Sequence, residues 1–157
     1  MTLPAAQVSA PGLTEDQIQA ELTWLEGFAH GSESLDWTKW EGFWAKDAFL
    51  QFGNLPRIQG KEAIASSHGL MFGAFEYLSH DWTRFSFDVP LGLIYQTCTV
   101  TYRVKGDPEK RDLRFPGLSV VHKKIGETQA TGLEIYVDSS PVMSVVQEVL
   151  SRKAANN

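Results

Sequence analysis

This chain carries a single cysteine, Cys98, among its 157 residues. It can form no disulfide with itself, and a reducing, cytoplasmic setting fits it best. It has no uninterrupted apolar run of bilayer-spanning length. The stretch "MTLPAAQVSAPG" has no basic start leading into an apolar segment, so no signal peptide and no membrane association are expected. Positive charge is scarce and scattered. The net charge is −5, and "EKRDLR" (109–114) mixes both signs and reads as a solvated hairpin tip. Phosphate binding needs a concentrated basic surface, so nucleic acid is not an expected partner. His30, His68, His80 and His122 lie far apart and lack the paired spacing of a zinc site. A glycine-rich phosphate loop and a dinucleotide fingerprint are missing too. The expectation is a protein without metal or organic cofactor.

Large aromatic side chains, by contrast, are plentiful: five Trp and nine Phe. They suit a packed core or a pocket for an apolar ligand, and composition does not separate the two. Hydrophobic content of 43% and charged content of 21% are ordinary for a globular domain. The expected organisation is a loose Ala/Pro/Ser/Gly tail over residues 1–12, one domain over 13–152, and a short tail over 153–157. Thr14 and Gln17 form a capping-box pair at the start of a helix, in which Ile18, Leu22, Leu25 and Phe28 recur at helical spacing. Gly31 reads as its end. A second helix is expected from Asp36, with Trp37, Trp40 and Trp44 on one face. "AFLQF" (48–52) reads as a short strand, "FGNLPRIQG" (52–60) as a turn, and residues 61–75 as a third helix.

From residue 80 the pattern changes. Segments 80–89, 93–105, 112–124 and 128–138 are rich in Thr, Val, Ile, Tyr and Phe, and Gly/Pro turn signals separate them. Short connections predict an antiparallel meander. "SSPVMSVVQEVLSRK" then reads as a closing helix, capped by Ser139 or Ser140 and aided by the Asp138 side chain. This is an α+β plan in which helices cover one face of a sheet. Pro116-Gly117 inside a strand predicts a bulge that curls the sheet and opens a cavity beneath the helices.

The helix pairs before the sheet, "WAKDAFLQFGNLPRIQGKEAI" (44–64), the Ser79-His80 pair and the close "EIYVDSSPV" (134–142) together resemble the SnoaL-like (polyketide cyclase-like) group of the nuclear transport factor 2-like superfamily. The resemblance covers nearly all of the chain beyond the tail. It implies a cone-shaped, barrel-like curved sheet closed by N-terminal helices, a deep apolar pocket and a homodimer. The activities it implies are cyclisation, isomerisation, dehydration or epoxide hydrolysis, and some relatives only bind. Fold does not choose among them.

Acid–base chemistry needs a proton acceptor, a donor and a dry site. His80 stands at a strand mouth beside a helix end, and histidine is a residue type suited to shuttling a proton. It reads either as the catalytic base or as a cap on that helix. On "LIYQTCTVTYRVK", alternation puts Ile94, Gln96, Cys98, Val100, Tyr102 and Val104 on the more apolar face. Gln96 and Tyr102 would then be polar tips in an apolar wall, Tyr102 as a second catalytic candidate or simply a packed aromatic. Glu134, a third candidate, alternates with Leu133 and Ile135. It faces away from the core unless the strand is bulged. Trp40 and Trp44 are candidates for touching a ligand, or plain core. Asn54, at the rim loop, offers a donor and an acceptor. Cys98 reads as a small buried hydrophobe.

Two functions follow. One is a cofactor-independent isomerase, cyclase or lyase (dehydratase) of natural-product biosynthesis, acting on an apolar polycyclic or polyketide-like small molecule. The other is a non-catalytic binding or dimerisation module. Epoxide hydrolysis is the weaker enzymatic option, because no Arg with converging carboxylates is evident on an apolar face.

Overall fold

The computed structural model describes residues 6–156. Helix α1 (Glu15–Glu33) starts on the expected capping box: the Gln17 amide donates to Thr14 Oγ1 at 3.2 Å, and the Thr14 amide donates to Gln17 Oε1 at 2.9 Å. It does not stop at Gly31. A Cβ on Gly31 would stand 2.6 Å from Trp40 Cδ1, so glycine is there for close approach, and the helix runs on to Glu33.

Helix α2 is a single turn, Trp37–Trp40, capped by Asp36, whose Oδ1 accepts from the Thr38 amide at 3.0 Å. A 3-10 turn (Glu41–Phe43) follows, and Trp44 opens strand β2 (Trp44–Phe52). The expected long helix carrying three Trp on one face is therefore corrected. Trp44 reaches the same aromatic cluster from a strand, because β2 pairs in parallel with β7 and buries Ala48 and Leu50. Strand β3 (Ile58–Gln59) leads into α3 (Lys61–Phe72). That helix ends three residues early, since Phe75 is already paired with Val104.

Strands β4 (Phe75–Asp88), β5 (Leu93–Val104), β6 (Leu113–His122) and β7 (Ala130–Val137) form the antiparallel meander. Helix α4 (Ser140–Ala155) closes the chain, and Asp138 Oδ1 accepts from the Ser140 amide at 3.0 Å. The tail expectation needs correcting within the described residues. Gln7–Ser9 form strand β1, parallel to β4. Residues 1–5 lie outside them.

The sheet order is β1-β4-β5-β6-β7-β2-β3. Seven strands curve without closing, so the barrel expectation gives way to an open cone, and the sheet is mixed because β7–β2 and β1–β4 are parallel. The bends are not at Pro116-Gly117, whose register with β5 is continuous. They lie in β4, at Phe75/Tyr77 and Trp82/Arg84, and in β2 at Trp44/Phe49. Pro116 sits one residue beyond the pairing of β6 with β7, where a missing N–H is tolerated.

The core lies between the concave face and the helices. Trp44, Ala48, Ile94, Val121 and Ala130 are fully buried there. A buried ion pair braces α1 to the β6–β7 connection: Lys123 Nζ lies 2.5 Å from Glu21 Oε2, and Glu21 Oε1 accepts from the Gly126 amide at 2.8 Å. No helix among the described residues is long and apolar enough to cross a membrane.

Candidate functional site

A cavity of about 70 Å³ opens between α1, α2, α3 and the concave face of β4–β7. Its wall is mostly apolar, with Phe28, Trp40, Leu78, Val100, Leu133 and Ile135 among the contributors. Six polar or sulfur-bearing side chains break that wall: Ser32, His80, Gln96, Cys98, Tyr102 and Ser119. Strand alternation accounts for most of them. Gln96, Cys98, Val100 and Tyr102 are every second residue of β5, and Leu133, Ile135 and Val137 every second residue of β7.

His80 is held by Glu33. The carboxylate Oε1 lies 3.0 Å from His80 Nδ1 and accepts from the His80 backbone amide at 2.8 Å. A carboxylate only accepts, so the hydrogen-bond network assigns the neutral imidazole's proton to Nδ1 and leaves Nε2 with the lone pair. The ring stacks on Trp82, centroids 4.9 Å apart and planes 9° off parallel. One face of the imidazole is therefore apolar, and the ring's orientation is fixed at two points, Nδ1 and the Trp82 stack. Glu33 escaped the sequence reading because Gly31 looked like a helix end, and because 47 residues separate it from His80. The α1 turn that Gly31 permits is what delivers it.

Tyr102 packs between Phe75 (4.7 Å) and Phe115 (5.6 Å, stacked). Burial pushes its hydroxyl up to about 12, so it stays protonated and serves as a donor. Burial, reinforced by the Asp81 and Glu33 charges, likewise pushes the Cys98 thiol up to about 12. That thiol is not a nucleophile at neutral pH. Gln96 donates from Nε2 to Ser119 Oγ at 3.1 Å.

The structure does not bring the remaining candidates to the cavity. Glu134 projects from the opposite face of β7, where its Oε2 lies 2.5 Å from His122 Nε2 and its Oε1 accepts from the Tyr136 hydroxyl at 2.7 Å. The His122 contact first, then Tyr136, holds its carboxyl below the usual value despite partial burial. Phe49 sits edge-on to His122 at 4.8 Å, and the Arg57 guanidinium lies 3.9 Å over the Phe49 ring. Nothing bulges β7 to turn Glu134 inward: its register with β6 is continuous from Gly132 to Val137.

Asn54 is exposed at the tip of the β2–β3 turn. That loop is tied down by Gln51 instead, whose Nε2 donates to the carbonyls of Gly53 and Leu55 at 2.9 and 2.5 Å. Trp44 is core and does not line the cavity, whereas Trp40 does. No Asp, Glu or Arg lines the wall among the described residues.

No family model and no curated protein matches this chain. Solved structures match it across most of its length, and they define the class: the fold is that of the nuclear transport factor 2-like superfamily. Several of the matching structures are SnoaL-like proteins. A candidate SnoaL-like polyketide cyclase from Jannaschia sp. CCS1 superposes with TM-score 0.68 at 14% identity, over 87% of this chain and 97% of that one. TerC, crystallised with polyporic acid, gives TM-score 0.64 at 9% identity, over 80% of this chain and 97% of its own. An LEH-like epoxide hydrolase from M. tuberculosis gives 0.62 at 14% identity, over 88% and 98%. At such identities the likeness carries the fold, and the chemistry rests on the side chains.

Proposed function

We propose that this chain is an acid–base enzyme of the isomerase, cyclase or dehydratase type, acting in the cytoplasm on an apolar ring-bearing or polyketide-like small molecule. The observation that carries this reading is the Glu33–His80 pair at the wall of an apolar cavity. A carboxylate on Nδ1 fixes the tautomer and strengthens Nε2 as a proton acceptor. In this reading Nε2 removes a proton from a carbon made acidic by a neighbouring carbonyl. Glu33 stabilises the imidazolium that results. Tyr102, kept protonated by burial, donates to the oxygen on which negative charge develops. The same imidazolium then returns the proton elsewhere, or to a departing hydroxyl. No reagent beyond the side chains is needed. Epoxide opening fits less well, since no Arg or carboxylate faces the cavity directly.

The test needs no natural substrate. Proton exchange at the activated carbon of a cyclic 1,3-dicarbonyl probe in D2O, followed by NMR, reports the base directly. Wild-type protein should accelerate exchange and His80→Ala should lose the acceleration, while equal rates in the two would sink the proposal.

The binding-module reading keeps one specific support. At about 70 Å³ the cavity holds a few waters, well below the roughly 300–1,000 Å³ of drug-sized ligand sites. A ring system enters only as side chains at the mouth swing aside. A protein that binds the probe with no exchange above solution is the module.

The homodimer belongs to the same proposal. Tyr77, Tyr95, Leu118 and Tyr136 are large exposed side chains on the strands, and Thr83, Thr97, Thr99 and Pro116 line a shallow surface around Leu118 and Tyr136. A second copy covering that face removes this apolar area from water. Sedimentation of wild type against Leu118→Glu checks it: a dimer should become a monomer.

A further inference from the structure

Among the described residues, three buried ring nitrogens have no hydrogen-bond partner: Trp40 Nε1, Trp44 Nε1 and His68 Nε2. All three residues are more than nine-tenths buried. Such orphans are rare in a folded protein, and each loses its water without replacement. They are also not scattered. The Trp40 ring lies 5.0 Å from Trp44 and 6.2 Å from His68, centroid to centroid. Trp37 backs the group at 6.5 Å from Trp44 and 5.7 Å from His68. Phe72 stands 4.9 Å from His68 and, with Trp40, lines the cavity.

The chemistry of the group has one sign. An indole N–H donates and cannot accept. Two of the three orphans are therefore fixed donors. The third belongs to an imidazole that burial holds neutral by depressing its pKa, and it donates in one tautomer. Plain core packing does not call for two indoles here, since Phe would fill an apolar layer without an orphan N–H.

We propose that the inner wall of the cavity at Trp40 is a subsite for a hydrogen-bond-accepting oxygen, a carbonyl or phenolic oxygen of an aromatic ligand. Trp40 Nε1–H is its donor, and Trp44 and His68 pack behind Trp40, outside the cavity lining. Phe28 and Phe72, both on the cavity wall, pack against the ligand's ring. The subsite deepens the small-molecule reading without depending on catalysis. It sets which end of a ligand goes in, and so which carbon is left for His80.

The test compares 1-indanone with indane, two probes of nearly equal size that differ by one carbonyl. Trp indole N–H resonances are read in ¹H–¹⁵N spectra of uniformly labelled protein. Indanone should bind more tightly than indane and move the Trp40 indole resonance downfield, and indane should not move it. In Trp40→Phe the indanone advantage should fall roughly three- to tenfold, with indane affinity little changed. Should Trp40→Phe fail to fold, the wild-type comparison decides alone, with indole signals assigned by backbone-to-side-chain correlation. Equal affinity of the two probes, an unmoved Trp40 resonance, or no binding by indanone at its solubility limit overturns the subsite. His80→Ala separates this from the catalytic proposal: it should abolish exchange while leaving the indanone preference intact.

Discussion

The concave and convex faces of the sheet each carry a histidine hydrogen-bonded to a glutamate, and the two pairs are built differently. On the concave side Glu33 spends one oxygen on His80, taking both its amide and Nδ1; the ring lines the apolar cavity, and its Nε2 has no hydrogen-bond partner among the described residues. On the convex side Glu134 commits both oxygens, one to His122 Nε2 and one to the Tyr136 hydroxyl, and neither His122 nor Glu134 lines the apolar cavity. Similar residue types thus sit in two different settings, one ring on an apolar cavity wall and one tied between neighbouring strands. Residue type does not decide which is which. Placement does: what the second ring nitrogen faces, and whether water is excluded there.

Substitution should separate the pairs sharply. His80→Ala should lose on the order of 10²–10⁴ in probe exchange rate, whereas His122→Ala should stay within about twofold of wild type if its pair is structural. A large loss in His122→Ala would break the contrast.

The next effect is on stability and uses a third pair as a yardstick. Lys123 and Glu21 are almost fully buried, so Lys123→Ala should cost about 3–5 kcal/mol in denaturant unfolding by stranding the carboxylate. His122→Ala, from a pair with side chains about a quarter exposed, should cost about 1 kcal/mol or less. Equal costs would mean the convex pair is buried more effectively than its exposure indicates.

Smaller still is a pH effect confined to the convex pair. Glu134's carboxyl lies below the ordinary Glu value of 4.5 in the folded protein. Its stabilisation is fully present above that value and is lost as pH falls through the folded pKa. Glu134→Gln should therefore flatten the fall of the unfolding midpoint below about pH 5, and a curve parallel to wild type would remove the pair's stabilising role. Last, Cys98 on the concave face should resist iodoacetamide at neutral pH until the protein unfolds, because burial holds its thiol near 12. Glu33→Gln should barely change this, since the Glu33 charge is the least of the causes.

How far these features could be read from sequence depends on how local their causes are. The capping box at Thr14, the alternation along β5 and the Asp138 contact at α4 are set by near neighbours, and their patterns were visible. So was the wall position of Gln96 and Tyr102, which follows from which face of β5 is apolar. Trp44 was misplaced because its spacing from Trp40 suits a helix, while pairing of β2 with β7, far along the chain, makes it a strand residue. Strand β1 was missed for the same reason: Gln7–Ser9 is polar and short, and only β4 gives it a partner. Pro116-Gly117 suggested a bend, but the register shifts fall where β4 wraps the helices, at residues without turn chemistry. Glu33 left no local trace, since its meaning comes from a contact made by folding.

The central claim is that Glu33 holds His80 as the Nδ1–H tautomer, with Nε2 free to take a proton. Long-range ¹H–¹⁵N correlation of the imidazole, recorded where the ring is neutral, reads this without any substrate. The expected spectrum shows His80 with a protonated Nδ1 and a bare Nε2, shifting toward a tautomer mixture in Glu33→Ala. A wild-type ring protonated at Nε2 would contradict the account.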